Sequence, residues 1–165
     1  MQNSLLKVII AALLLTSASL VAGTANAFEL QTLENERTNL HNFVGDGQWT
    51  VVMLWGANCK ACEEQKPLLE AFHNKYKDSR AHAIGVSIDG IENIEYIRKN
   101  IAHHGTSYTN LAALTDVFFW QFTQETGKKY LRTPTYLLYA PDGSLSGVKS
   151  GKLKFELLEQ ILEEE

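Results

Sequence analysis

The only two cysteines of the chain, Cys59 and Cys62, stand three positions apart. The segment Cys59-Lys60-Ala61-Cys62 follows a nearly continuous apolar run, Trp49–Trp55, and opens a stretch with helical spacing. A thiol at a helix start faces unpaired backbone N–H groups and the positive end of the helix dipole. Both favour thiolate over thiol, so Cys59 should titrate below the free value of about 8.5. Lys60 adds a positive charge in the same direction. Cys62 lies one turn further in and should be more buried. The chemistry this suits is thiol–disulfide exchange, with Cys59 attacking a partner disulfide and Cys62 resolving the mixed disulfide. Two other uses of the pair stay open. It could be a static disulfide closing a short loop. It could also hold Cu(I) together with one of His41, His73, His82, His103 or His104. Zinc generally needs four ligands, and no second cysteine pair exists.

The elements that must position these sulfurs alternate in type. Phe28–Leu33 alternates apolar and polar residues and reads as an edge strand. Trp49–Trp55 reads as a strand covered on both faces. Cys59–Tyr76 reads as a helix with Leu68, Leu69 and Phe72 on one side and a kink at Pro67. Ala83–Ile88 is a second interior strand. Asp89 should cap or precede a helix carrying Ile94, Ile97 and Ile101. Val117–Thr126 is a further helix, stopped by Gly127. Thr135–Tyr139 and Leu145–Ser150 form a hairpin across Pro141-Asp142-Gly143. Phe155, Leu158, Ile161 and Leu162 mark a closing helix. The order predicts an α/β fold with a central mixed β-sheet flanked by helices. The aromatic run Val117-Phe118-Phe119-Trp120 with Phe122 reads as core filler.

Composition narrows the class. The 165 residues include 15 Lys+Arg and 19 Asp+Glu, a net charge of −4, with 45% hydrophobic side chains. That supports one packed domain and excludes global disorder. The acidic balance argues against nucleic acid as a partner. Residues 1–27 carry one charge, Lys7, then the apolar run Val8–Leu15 and a terminal Ala25-Asn26-Ala27. This is the pattern of a cleaved secretory signal peptide, leaving a mature domain of residues 28–165. Such a protein works outside the cytoplasmic membrane, where disulfides persist. An uncleaved membrane anchor is the alternative.

Trp55-Gly56-Ala57-Asn58-Cys59-Lys60-Ala61-Cys62, with Pro67 five residues on, resembles the active-site segment of thioredoxin-fold proteins, most of all the extracytoplasmic TlpA/ResA-like branch. Thr133-Pro134-Thr135 and the following Pro141-Asp142-Gly143 are similar to that family's cis-proline loop and hairpin. The segment from Ala83 to Asp116 is similar to its central insertion, and the N-terminal extension also fits. The resemblance implies a thioredoxin fold and exchange with protein disulfides or dithiols through a redox-active Cys59–Cys62 pair, without a separate cofactor. It implies a cis Pro134 over the sulfurs, with the Thr133 backbone free to pair with an extended substrate. Trp55, Asn58, Lys60, Ala61 and Pro67 would support the site. A reductase direction, a membrane-bound electron donor and a monomer are the further expectations; isomerase or oxidase activity stays open, since Thr133 is familiar in isomerases. Three positions depart from the pattern. Asn58 stands where many relatives have Trp. Met53 and Gln65 stand where relatives have acids able to move the Cys62 proton, with Glu63 and Glu64 as nearby substitutes.

Overall fold

Strand β3, Trp49–Trp55, is buried at every position because it is covered from four sides. In the computed structural model, which describes residues 28–163, β3 lies between β4 (Ala81–Ser87), parallel to it, and β6 (Thr135–Tyr139), antiparallel. Helices pack on both faces. The remaining strands are β1 (Glu29–Thr32), β2 (Arg37–Asn39), β5 (Thr109–Ala113) and β7 (Leu145–Ser150). The helices are α1 (Lys60–Tyr76), α2 (Ile94–His104), α3 (Thr115–Thr126) and α4 (Phe155–Glu163). Together the strands make one mixed seven-stranded sheet in the order β2-β1-β5-β4-β3-β6-β7. The expected signal segment, 1–27, and the final residues 164–165 lie outside the described residues.

The two-residue period of the strands sorts the core into two layers. Val51, Met53, Trp55, Ala81 and Ala83 face α1, α2 and α4, meeting Cys62, Leu69, Phe72, Ile97, Leu158 and Leu162. Val52, Leu54, Ile84 and Val86 face the other way, onto Phe118 and Phe122 of α3 and onto Phe28, Leu30 and Leu40. The aromatic run of α3 therefore divides. Phe118 and Phe122 are core, as expected, whereas Phe119 and Trp120 are 48% and 55% exposed.

Several expectations need correction. The first strand is not at the edge: it pairs with β2 on one side and β5 on the other. Neither of those neighbours was expected. β2 is three polar residues with nothing to bury, and β5 ends in alanines, which carry little strand signal. Leu68 does not face the core and is 44% exposed, while Leu69 and Phe72 are buried. Pro67 lies inside α1, as expected. α3 begins two residues earlier than expected and ends at Gly127, whose φ of 64° closes the helix in the left-handed conformation.

Gly85 on β4 shows how tightly the sheet is filled beneath Trp55. A Cβ at this position would stand 2.2 Å from Asn110 Oδ1 and 3.0 Å from Trp55 Nε1. Asn110 is itself held, donating to the Tyr108 carbonyl at 2.9 Å. Gly85→Ala should therefore cost about 1–3 kcal/mol of stability, the usual range for overpacking. Urea denaturation checks it: an unchanged midpoint would show that the Asn110 side chain gives way freely.

Candidate active site

Cys59 caps α1 rather than lying within it, with extended backbone angles of φ −106° and ψ 96°. Its carbonyl takes the first helical hydrogen bonds, from Cys62 N at 2.8 Å and Glu63 N at 3.1 Å. Its Sγ accepts the Cys62 N–H at 3.1 Å. The sulfur thus occupies the place a Ser or Asp oxygen usually takes at a helix start. Cys59 and Cys62 are joined as a disulfide with their Cα atoms 5.1 Å apart. Cys59 is partly exposed and Cys62 is fully buried.

Four hydrogen bonds hold the loop that delivers Cys59. Cys59 N donates to Gly56 O at 3.2 Å, and Ile88 N to Trp55 O at 2.8 Å. Asp89 Oδ2 accepts from Ala57 N and from Ser87 Oγ, both at 2.7 Å. Asp89 precedes α2, as its position suggests, without capping it; Gly90 and a 3-10 turn at Ile91–Asn93 separate it from that helix. It ties β4 to the loop before the sulfurs instead. No local pattern announces this bond, which spans 32 positions. Asn58 is exposed and its Oδ1 accepts from Tyr96 OH of α2 at 3.1 Å. Lys60 is exposed, Ala61 partly so, and Pro67 lies on the outer side of α1.

Thr133 and Pro134 arrive at the same end of the sheet. Leu54 pairs with Thr135, so the antiparallel register continues to Trp55 beside Pro134. The Thr133–Pro134 bond is cis. Pro134 is buried, its carbonyl accepts Gly151 N at 2.8 Å, and Thr133 stays partly exposed.

The positions that lack an acid are filled without one. Met53 is fully buried core. Gln65 Oε1 accepts from Tyr136 OH at 2.8 Å and from Leu153 N at 2.6 Å, joining α1 to β6 and to the approach to α4. Glu63 and Glu64 face solvent, and Glu64 pairs with Lys152, whose hydrogen bond holds its carboxyl below the usual range. The unexpected residue is Lys66. It is 2% exposed, its Nζ sits 3.8 Å from the centroid of the Trp55 ring, and it donates to Asn100 Oδ1 of α2. Burial lowers its pKa from 10.5 to about 8, against the opposing pull of Glu63 and Asp89. The phase of α1 could have shown it: Cys62, Leu69 and Phe72 define a buried stripe that passes through position 66.

Three of the five histidines are engaged away from the sulfurs. His73 accepts from Ala83 N, His82 is held near Gln48 and Thr50, and His41 faces Glu125. Among the described residues no group of three or more His, Cys, Asp or Glu side chains could hold a metal ion. Also among them, no helix is long and apolar enough to cross a membrane.

A disulfide at the start of the helix following a central strand, with a Thr-Pro loop at the same sheet end, defines a thioredoxin-like fold carrying a Cys-x-x-Cys pair. The chain belongs to the AhpC/TSA family, whose sequence pattern matches residues 21–147. Similar folds include the thioredoxin domain of a thiol-disulfide oxidoreductase from Bacteroides vulgatus. It is 22% identical, with a TM-score of 0.66 over 87% of this chain and 99% of that one. A secreted Mycobacterium tuberculosis disulfide oxidoreductase, described as homologous to E. coli DsbE, is 14% identical with a TM-score of 0.65 over 87% and 100%. StoA from Bacillus subtilis is 18% identical with a TM-score of 0.59 over 81% and 94%. No curated protein sequence matches the chain.

Lys66 gives the oxidised protein a pH signature. Below pH about 8 the folded chain bears the whole cost of a buried cation. Between about 8 and 10.5 the folded state has released a proton that the unfolded state keeps, so stability rises with pH across that window. Relative to Lys66→Met, the native protein should gain up to about 3 kcal/mol over this range. Denaturation of both proteins at neutral and alkaline pH measures the gain; a difference independent of pH would show that Lys66 is not buried as a cation.

Proposed function

We propose that the mature chain, residues 28–165, is an extracytoplasmic thiol:disulfide oxidoreductase acting on protein substrates, in the reducing direction. The observation that carries this reading is the asymmetry of the two sulfurs. Cys59 is partly open to a partner and faces a helix-start N–H, while Cys62 is enclosed. In the reduced protein the Cys59 thiolate attacks a substrate disulfide. A Cys59–substrate bond forms and the first substrate sulfur leaves as a thiolate, which takes up a proton. Cys62 then attacks Cys59 Sγ, closing the Cys59–Cys62 bond and releasing the second substrate sulfur. Two electrons and two protons pass from the cysteine pair to the substrate, with no separate cofactor.

The surroundings fit this cycle. Thr133, partly exposed before the buried Pro134, offers backbone to an extended substrate segment beside the sulfurs. Trp55 and Asn58 shape the frame, and Lys60 adds positive charge next to Cys59. The apolar leader directs the chain across the membrane. Beyond the membrane a reductase needs resupply, so a membrane-bound donor of electrons is the partner this reading requires. The protein works as a monomer.

Cys59→Ser should abolish reduction of insulin disulfides. Cys62→Ser should instead accumulate mixed disulfides, visible on non-reducing gels and released by dithiothreitol. Accumulation in Cys59→Ser and not in Cys62→Ser would reverse the two roles; insulin reduction undiminished in Cys59→Ser would reject the reading.

A further inference from the structure

Lys66 sits one helical turn after Cys62, and both side chains are enclosed, at 2% and 0% exposure. Side chains of a helix lean toward its N-terminus, so position 66 reaches back over the turn that holds Cys62. Its contacts agree. The ammonium lies against Trp55, which shares one core layer with Cys62, and Asn100 closes it from α2. Three titratable groups surround it: Glu63 one turn back on α1, Asp89 after β4, and His104 on α2. Among the described residues, Lys66 forms no ion pair. Asp89 already binds Ala57 N and Ser87 Oγ, and Glu63 faces solvent.

A buried ammonium held only by an aromatic face and an amide is under-compensated. The Cys59–Cys62 disulfide is neutral, so in the oxidised state nothing at the sulfurs answers this charge. Reduction changes that, because it makes Cys62 ionisable in the same enclosed layer. Burial alone would hold Cys62 as the thiol, which is a poor nucleophile. Met53 and Gln65, which stand where the resembled family carries an acid, are neutral, and Gln65 Oε1 is engaged with Tyr136 and Leu153.

We propose that Lys66 is the counter-charge of the resolving sulfur: its enclosed ammonium favours the thiolate of Cys62 and so takes the place of the missing carboxylate. This rests on the exchange cycle proposed above. In the resolving step the Cys62 proton goes to water, the Cys62 thiolate attacks Cys59 Sγ, the Cys59–Cys62 bond forms and the Cys59–substrate bond breaks. Lys66 keeps its own proton throughout. It acts through Cys62 and is a positioning residue, not a reacting one.

The test is a thiol titration, which does not depend on any substrate. In a Cys59→Ser protein, the pH dependence of Cys62 alkylation by iodoacetamide is compared with and without Lys66→Met, and with Lys66→Gln as a second neutral variant. Removing the charge should raise the Cys62 midpoint by about one unit, a tenfold loss of thiolate at a given lower pH. A second readout needs no change at position 66. The side-chain NMR signal of Lys66 should lose its proton at higher pH in the reduced protein than in the oxidised one, by reciprocity. Unchanged Cys62 midpoints in a folded neutral variant, or a Lys66 titration indifferent to reduction, would overturn the proposal. If mixed disulfides fail to form in Cys62→Ser while the titration shifts as stated, the exchange cycle is at fault and the pairing stands.

Discussion

The structure turns on one hydrogen bond, from the Cys62 N–H to Cys59 Sγ at the opening of α1. A helix start leaves its first amide groups without backbone partners, and here one of them points at a sulfur. The bond does in a disulfide what it would do more strongly for a thiolate, because a charged acceptor strengthens it. Everything nearby serves to keep that sulfur at that amide. β3 delivers the chain from a fully covered position, Asp89 pins Ala57 across 32 positions, and the neighbouring strand brings Pro134 to the same sheet end.

The site is also notable for where it puts charge. Thiolate-stabilising elements lie on the open side: the helix start and the exposed Lys60. On the enclosed side the charge is again positive, with Lys66 against the Trp55 ring. A buried carboxylate would hold a proton for the inner sulfur, whereas a buried ammonium favours the sulfur without one.

Much of this was legible in the sequence because it is written in local pattern. β3, β6 and β7 have the residue ranges that their runs and the Pro141-Asp142-Gly143 turn suggest. The sulfurs fall at the helix start because the apolar strand ends just before them. What was not legible depends on contacts distant in sequence. Asp89 precedes α2 as its position suggests, but its side chain reaches back to Ala57. β2 and β5 exist because β1 and β4 offer them edges, not because their own residues favour strands. On α1 residue type is a poor guide: Leu68 lies outside while Lys66 lies inside. The phase set by Cys62, Leu69 and Phe72 decides such cases better than hydrophobicity does.

Exchange through this pair depends on how readily Cys59 ionises. The direct measurement is the rate of iodoacetamide alkylation of Cys59 in the reduced Cys62→Ser protein as a function of pH. An inflection clearly below the free-thiol value of about 8.5 is the result the geometry predicts. An inflection at or above that value would mean that the helix start does not activate the sulfur, and the structural argument for its reactivity would be wrong.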